Sequence, residues 1–216
     1  MNHPFAGFEA LYEWGLETSQ TPDSDLRRPR FYNLLQIFEL VRNIPGCSAE
    51  AGCWRGLSSF LICNSIRDKD AEFTGAGHVI VDSFKGLSPP TAEDNLPEKF
   101  QGRFSNTSVD HVRNTLREFP NVSIFEGWIP DAFEKVPDQT YRFVHIDVDL
   151  FEPTRDSLEY FFPRVSHGGV MVVDDFGPWP AGGKYQGCSR AVIEFCKKNN
   201  IPFAALSTGN AVIFKK

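Results

Sequence analysis

The sequence predicts an α/β fold in which a mostly parallel sheet carries helices on both faces and ends in an antiparallel hairpin. Seven short apolar segments alternate with segments whose apolar residues recur at helical spacing, a pattern that is typical of a parallel sheet wrapped by helices. The last two strand-like segments, "PFAAL" and "AVIFK", are joined only by "STGN". This link is too short for a crossover, so the two segments are predicted to pair antiparallel.

The elements are predicted in the following order. Apolar residues recur at i, i+3, i+4 and i+7 from Phe31 in "RFYNLLQIFELVRN", which predicts the first core helix. Then follow strand "CSAEAG", helix "LSSFLICNSI", strand "HVIVDSF", helix "SVDHVRNTLREF", strand "NVSIFEG", a short helix near "PDAFEKV", strand "FVHIDVD", helix "TRDSLEYFF", strand "VMVVDD" and helix "SRAVIEFCKK". Residues 85–106 are rich in proline, glycine and polar residues and predict an excursion or lid. "PWPAGGKYQG" predicts a second mobile loop.

Composition limits the class of protein. The 216 residues, 41% hydrophobic, predict an N-terminal arm or lid at residues 1–30 and one domain at residues 31–216. A formal net charge of -6 argues against binding to nucleic acid or anionic membrane. No apolar run approaches the roughly 20 residues that cross a bilayer, and the N-terminus does not resemble a signal peptide. Five cysteines without metal-type pairing are interpreted as reduced thiols, which favours a cytoplasmic location.

Acidic residues collect where the predicted strands end. Asp147 and Asp149 follow one buried strand, Asp174 and Asp175 follow the next, and Asp82 ends an earlier one. In such a sheet, ligands bind beyond the carboxyl ends of the strands. Because an unpaired charge at a buried strand end is costly, the acids are interpreted as ligand-binding groups.

The loop "EAGCWRG" follows the first strand and invites a dinucleotide interpretation, but it lacks the G-x-G-x-x-G pattern. A plain strand–helix turn is the alternative. Glu50 beside the glycine suits a cationic or amine-bearing ligand. Asp82, about 30 residues on, suits a ribose diol because a carboxylate accepts two hydroxyl hydrogen bonds. S-adenosylmethionine meets both demands, whereas a nicotinamide dinucleotide meets only the ribose demand.

The segments "AEAGCWRG", "VDSFKGLSPP", "FEGWIPDAF", "FVHIDVDLFEPTRDSLEYFFPRVSHGGVMVVDDFG" and "GCSRAVIEF" together resemble the macrocin O-methyltransferase (TylF-type) family. The resemblance runs in order from about Arg27 to the C-terminus. It implies a Rossmann-like class I methyltransferase fold with a mostly parallel seven-stranded sheet. It also implies an S-adenosylmethionine-dependent enzyme that methylates a hydroxyl of a sugar or other natural-product small molecule, assisted by a divalent cation, usually Mg²⁺.

The resemblance assigns roles to individual residues. The metal ligands that it implies are Asp147, Asp174 and Asp175. The residues expected to bind the cofactor are Glu50, Gly52, Cys53, Gly56, Ser58, Asp82, Ser83, Gly127, Trp128 and Asp147. Trp128 is expected either to stack on adenine or to pack in the core.

Methyl transfer from S-adenosylmethionine also needs a base for the hydroxyl proton. Asp149 lies two residues after Asp147, and in an extended chain it would return to the same side, so Asp149 is predicted as the general base. A helix-capping or supporting acid is the alternative role. His145, inside the strand, is interpreted as a buried and hydrogen-bonded histidine.

The aromatic N-terminal arm has three interpretations. It caps the acceptor site, packs on a second subunit in a homodimer, or docks on the core of its own chain. Arg27, Arg28 and Arg30 are interpreted as a solvated helix start, with a basic lid for an acidic acceptor as the alternative.

Two further function classes stay open at this point. "HIDVDLF" and "VVDD" imitate the acidic motifs of haloacid-dehalogenase-type phosphatases, but residues 150–173 contain no lysine to steady a phosphoryl group. A module that binds S-adenosylmethionine without turnover is the other alternative.

Overall fold

A seven-stranded sheet forms the centre of the structure, a computed structural model that describes residues 7–177 and 183–216. The strands are β1 (Cys47–Ala51), β2 (His78–Asp82), β3 (Ser123–Glu126), β4 (Tyr141–Ile146), β5 (Val165–Val173), β6 (Ala204–Ala205) and β7 (Ala211–Phe214). Their order across the sheet is β3-β2-β1-β4-β5-β7-β6. The first five strands are parallel, and β7 pairs antiparallel with both β5 and β6. The predicted fold class, including the C-terminal hairpin, is confirmed.

Within these residues, six α-helices accompany the strands: α1 (Phe8–Ser19), α2 (Arg27–Leu40), α3 (Leu57–Arg67), α4 (Val109–Thr115), α5 (Phe151–Phe161) and α6 (Gln186–Lys198). Short 3-10 turns occur at Ala92–Asp94, Glu98–Phe100, Asp131–Lys135 and Phe162–Arg164. The first core helix begins earlier than predicted, at Arg27. Helix α4 is shorter than predicted, because the chain after Thr115 turns inwards and buries Leu116 and Phe119.

The apolar core lies in two layers, one on each face of the sheet. Neighbouring residues of the central strand β4 face opposite layers, as the alternation of a strand requires. Phe143 packs in the layer that contains α2 and α3, and its ring meets Phe38 edge to face at 5.1 Å. Val144 packs in the layer that contains α5 and α6. Burial on both faces explains why the parallel strands are nearly continuous apolar runs.

A buried polar network crosses one of these layers. Glu50 is fully buried at the end of β1 and accepts hydrogen bonds from the hydroxyls of Ser58 and Ser59. His145 Nδ1 lies 2.8 Å from Glu50 Oε1. Burial alone would lower the pKa of His145, but the hydrogen bond to Glu50 and its charge raise it to about 9. Burial lowers the pKa of His78, which bonds Ser59 at 2.8 Å, to about 4.

The N-terminal arm docks on its own chain. Trp14 of α1 meets Phe60 of α3 edge to face at 4.8 Å, and Gly15 approaches the same helix closely. The predicted boundary between arm and domain, at residue 30, lies inside α2. The link between α1 and α2 contributes Thr21, Ser24 and Leu26 to the wall of a cavity at the carboxyl ends of the strands.

The 85–106 segment is anchored by one buried carboxylate. Asp94 Oδ2 accepts hydrogen bonds from the backbone N–H and the hydroxyl of Thr91, at 2.8 and 3.0 Å. Its Oδ1 accepts the N–H of Phe151, at the start of α5, at 2.6 Å. A Cβ at Gly187 of α6 would lie 2.0 Å from the same oxygen. Asp94 therefore joins this segment to the first turns of α5 and α6.

Two further features concern membrane-spanning helices and the state of the cysteines. In the part of the chain described, no helix is both long and apolar enough to cross a membrane. All five cysteines are free thiols, as expected, and four of them are buried.

Docking of the arm depends on the absence of a side chain at residue 15. A Cβ there would lie 2.7 Å from Leu57 Cδ1 and 3.2 Å from Phe60 Cδ1. We expect Gly15→Leu to lower the free energy of unfolding by about 1–3 kcal/mol, because overpacking forces α1 away from α3. Urea denaturation measures this change. The control is Glu17→Leu on the exposed face of the same helix, which we expect to change stability by no more than about 0.5 kcal/mol. Equal effects of the two substitutions would show that α1 and α3 do not pack tightly.

Candidate functional site

The strand order reverses between β1 and β4, and the site residues lie just beyond the strand ends at this point. Asp147 donates its N–H to Ala51 O, and Asp174 donates its N–H to Ile146 O, each at 2.8 Å. The sheet ladder thus extends one residue past the strands and fixes the backbone of both acids. Gly52 has φ 80°, and a Cβ there would lie 2.0 Å from Asp147 O. Only glycine allows the loop to approach Asp147 this closely.

A cavity of about 400 Å³ opens at this crevice, a size that is usual for small-molecule sites. It collects most of the residues predicted to bind the cofactor: Gly52, Cys53, Ser58, Asp82, Ser83, Gly127, Trp128 and Asp147. The four acids that follow β4 and β5 also line it: Asp147, Asp149, Asp174 and Asp175. Trp128 is 41% exposed and lies in the cavity wall, so it is not a core tryptophan.

Two of the predicted cofactor residues do not line the cavity. Glu50 is fully buried, and its oxygens are occupied by Ser58, Ser59 and His145. Gly56 has φ 83° at the start of α3, where a Cβ would lie 3.2 Å from Val112. Both residues support the loop from behind, Glu50 through hydrogen bonds and Gly56 through close packing.

Asp82 has a role that the sequence did not reveal. Its Oδ2 accepts the N–H groups of Cys53 and Trp54 at 2.8 and 3.1 Å, and its Oδ1 accepts the N–H of Phe84 at 2.7 Å. The carboxylate therefore holds the loop after β1 and the turn after β2 together. It still faces the cavity, where Oδ1, which accepts only one N–H group, retains a lone pair for a further donor.

The acids form two overlapping groups whose ligand atoms lie within 4.8 Å of one another. One group is His145, Asp147 and Asp174, and the other is Asp147, Asp149 and Asp175. The three residues predicted as metal ligands are thus divided between two groups that share Asp147. Burial raises the pKa of Asp147, Asp149 and Asp174, and the neighbouring carboxylates raise it further.

Asp149 reaches Asp147 by a different route from the one predicted. Strand β4 ends at Ile146, and Asp149 has φ 60°, so the chain between the two acids is a turn and not an extended segment. The left-handed backbone at Asp149, which aspartate tolerates better than most residues, brings its carboxylate back beside Asp147 and Asp175. The predicted proximity is present, but the strand alternation used to derive it is wrong.

Arg30 supplies a positive charge to this corner. Its Nη1 lies 3.0 Å from Asp175 Oδ1 and 3.4 Å from Asp174 Oδ2, and its side chain is 16% exposed. Its Nε donates to the carbonyl of Thr208 at 2.8 Å. The interpretation of Arg30 as part of a solvated helix start is therefore wrong. Burial alone would lower the pKa of Arg30, but the charges of Asp174 and Asp175 outweigh burial and raise the pKa above its usual value.

The turn between β6 and β7 contributes a second contact to the acids. Asn210, which is 2% exposed, donates to Asp174 Oδ1 at 2.8 Å. Thr208 bonds both Asn210 and Asn33 at 3.0 Å. Sequence reasoning treated this turn only as a tight link. Its one signal was a polar "STGN" directly before an apolar strand.

Trp54 forms part of the opposite wall. Its indole N–H donates to Asn106 at 2.9 Å, and its ring packs edge to face on Phe104 at 5.4 Å. The guanidinium groups of Arg27 and Arg55 lie 5.8 and 5.1 Å from the ring centroid. The predicted loop "PWPAGGKYQG" lies partly outside the described residues. Its described part places Lys184 and Tyr185 in the cavity wall.

Comparisons with known proteins agree with this architecture. Demethyldecarbamoylnovobiocin O-methyltransferase of Streptomyces niveus is 30% identical over 184 residues, which cover 80% of this chain and 67% of that protein. The solved O-methyltransferase NovP superposes with a TM-score of 0.72 at 26% identity, covering 87% of this chain and 79% of NovP. Calicheamicin methyltransferase CalS11 shares the fold, with a TM-score of 0.70 at 19% identity over 99% of this chain and 94% of its own.

Family membership follows from the extent of the match. The profile described as Macrocin-O-methyltransferase (TylF) matches residues 15–216, which include the end of the arm helix and every acid of the site. The resemblance noted in the sequence is thereby confirmed. The chain belongs to the macrocin O-methyltransferase (TylF) family of O-methyltransferases.

Proposed function

We propose that the protein transfers a methyl group from S-adenosylmethionine to a hydroxyl of a sugar or other natural-product small molecule, assisted by a divalent cation. The observation that carries this proposal is that four acids lie beside the glycine loop, where the strand order of the sheet reverses. The chain belongs to a family of O-methyltransferases, which fits this arrangement. The relatives are named as O-methyltransferases of demethyldecarbamoylnovobiocin, of a rhamnosyl tetracenomycin C and of mycinamicin III. The phosphatase alternative and the non-catalytic module are not favoured by this family.

The cofactor would occupy the part of the cavity between the glycine loop and Trp128. Solved structures of the same fold include complexes with S-adenosylhomocysteine. Asp82 offers the remaining lone pair of its Oδ1 to a ribose hydroxyl, and Trp128 offers a ring face for adenine. Gly52 lines the part of the cavity where the methionine portion would lie.

The donor set at the acids fits a hard divalent cation. Carboxylate oxygens are the ligands that Mg²⁺ prefers, and Asp147 would supply them together with Asp174 and Asp175, each of which shares one of the two groups with it. Asn210 occupies one oxygen of Asp174, and Arg30 lies 3.4 Å from the other, so a cation bound there would replace the contact with Arg30. A bound cation would orient the acceptor hydroxyl and lower its pKa. The free thiols of the chain fit a reducing cytoplasm, where we place the reaction.

Asp149 would take the proton. It is 7% exposed, lies in the cavity wall and belongs to the acid group without making an ion pair among the described residues. As the acceptor oxygen forms a bond to the methyl carbon, the carbon–sulfur bond breaks and its electron pair stays on sulfur. The hydroxyl proton passes to Asp149, and the products are the methyl ether and S-adenosylhomocysteine.

Methyl transfer from radiolabelled S-adenosylmethionine tests the proposed function. The acceptors are a panel of glycosylated and phenolic natural products, each assayed with Mg²⁺ and with a chelator. We expect label in at least one hydroxylated acceptor, and a large loss of rate in the chelator. Full activity with the chelator would remove the cation from the proposal. Failure of the protein to bind S-adenosylhomocysteine by calorimetry would reject the proposed function as a whole.

Asp149→Asn separates the base from the metal ligands. We expect kcat to fall by a factor of about 10²–10⁴, since the amide cannot accept the proton, while cation and acceptor affinity are preserved. Steady-state kinetics at increasing Mg²⁺ measure this. The comparison variant is Asp147→Asn, which should weaken cation binding and regain some activity at high Mg²⁺. Rescue of Asp149→Asn by excess Mg²⁺ would mean that Asp149 is itself a ligand.

Asp174→Asn should remove most divalent-cation binding and spare the cofactor. The substitution keeps the shape of the side chain but deletes the charge that would hold the ion. Calorimetry with Mn²⁺ and, separately, with S-adenosylhomocysteine gives the two affinities. Unchanged Mn²⁺ affinity would show that Asp174 is only a structural partner of Asn210.

Arg30→Gln should tighten Mn²⁺ binding by roughly tenfold or more, because the guanidinium occupies carboxylate oxygens that the cation needs. Calorimetry without cofactor or acceptor measures this directly. Arg27→Gln is the matched control, since Arg27 lines the same cavity without an ion pair to the acids. Equal tightening in both variants would attribute the effect to the general field of the cavity and not to contact.

A further inference from the structure

Four cations line the cavity without a carboxylate partner among the described residues: Arg27, Arg55, Arg103 and Lys184. The chain contains 28 acidic and 22 basic residues, so a shortage of acids does not explain this. Many other arginines form ion pairs, and Arg30 pairs within the same cavity. The cavity thus combines an acidic corner with cations that form no ion pair among the residues described.

The four cations are of two kinds. Arg27 and Arg55 are engaged with backbone carbonyls, of Pro22 in one case and of Gln20 and Asn106 in the other, and both lie over Trp54. They hold the wall of the cavity together. Arg103 and Lys184 have no hydrogen-bond acceptor among the described residues.

Arg103 and Lys184 approach each other across a single aromatic ring. The guanidinium of Arg103 lies 5.5 Å from the centroid of Phe100, and the ammonium of Lys184 lies 4.6 Å from it. Partial burial and the charge of Arg103 lower the pKa of Lys184. Two exposed like charges from separate segments thus lie against one ring without an ion pair among the described residues, and an anionic ligand at this point would attract both.

The backbone of Arg103 is held firmly. Arg103 O accepts the N–H of Leu87 at 2.9 Å, and Gly102 donates to Leu87 O at 2.9 Å. Gly86 has φ 76°, and a Cβ there would lie 2.3 Å from Arg103 O. The guanidinium is therefore presented from a closely packed turn and not from a free loop.

The pair also lies on the acceptor side of the cavity. The carboxylates that act on the Lys184 ammonium are Asp149 and Asp175, and Tyr185 beside it is buried among the same groups. Asp149 is the proposed base, so a group bound by the pair would belong to the molecule that Asp149 deprotonates.

We propose that Arg103 and Lys184 bind an oxyanion of the methyl acceptor, so that the acceptor is a phosphorylated or nucleotide-activated sugar, or a carboxylate-bearing one. This inference rests on the proposed function. Charge-assisted hydrogen bonds from a guanidinium and an ammonium recognise phosphate and carboxylate alike. The oxyanion would hold the acceptor at one end while the acids receive its hydroxyl at the other.

Calorimetry on metal-free protein saturated with S-adenosylhomocysteine tests the inference. The probes are inorganic pyrophosphate, glucose 1-phosphate, glucuronate and glucose. We expect saturable binding of pyrophosphate and of at least one anionic sugar, and weaker binding of glucose. Arg103→Gln and Lys184→Gln should each raise the Kd of the anions roughly tenfold or more, as loss of a charged hydrogen bond does. Lys99→Gln, on the same segment but outside the cavity wall, should leave it unchanged.

The two sugar anions distinguish the sources, because preference for glucose 1-phosphate indicates a phosphorylated acceptor and preference for glucuronate a carboxylate. The inference would be overturned if glucose bound as tightly as the anions, or if neither substitution changed the anion affinities. It would also be overturned if the variants lost S-adenosylhomocysteine affinity instead, since the cations would then serve the cofactor carboxylate. Failure of wild type to bind S-adenosylhomocysteine is a separate result, which rejects the proposed function.

Discussion

The mutual repulsion of carboxylates at one corner of the sheet is the constraint on which the site depends. Two charges 4 Å apart interact with about 4 kcal/mol at an effective dielectric constant of 20, so the acids after β4 and β5 oppose folding unless positive groups face them. The structure provides the positive charge of Arg30 from α2 and, in addition, a hydrogen bond from the neutral amide of Asn210 in the β6–β7 turn. Helix α2 and the hairpin therefore do more than cover the sheet, because they bring the groups that make the acidic corner stable.

The same physical problem occurs one layer deeper. Glu50 would be very costly to bury alone, and its hydrogen bonds to two serines and His145 offset that cost. The result is a rigid support directly behind the glycine loop. Asp82 acts on the same loop from the cavity side, through the N–H groups of Cys53 and Trp54. The loop is thus fixed by one carboxylate on each side.

The sequence could predict what depends on strand ends and could not predict what depends on distant contacts. Asp147 and Asp174 follow apolar runs, and parallel strands end at one edge, so their proximity was predictable. Arg30 meets Asp174 across 144 residues, and no local pattern distinguishes it from its neighbours Arg27 and Arg28, which do not contact the acids of the site. Glu50 was misjudged because an acid beside a glycine loop looks the same in sequence whether it faces a ligand or the core. In the structure, Ser58, Ser59 and His145 bind the carboxylate of Glu50 and hold it in the core.

The anchoring of Asp94 has a consequence for timing in the catalytic cycle. This carboxylate belongs to the 85–106 segment, both ends of which line the cavity, yet it caps the first turn of α5, which starts just after Asp149. Displacing the segment near Asp94 would leave Phe151 N–H without its acceptor and loosen the turn that holds Asp149. Asp149 would therefore be out of position whenever the cavity is open. Entry of the acceptor would thus be coupled to the placement of Asp149, the proposed base. The sulfonium of S-adenosylmethionine would meet Asp149 only when bulk water is excluded.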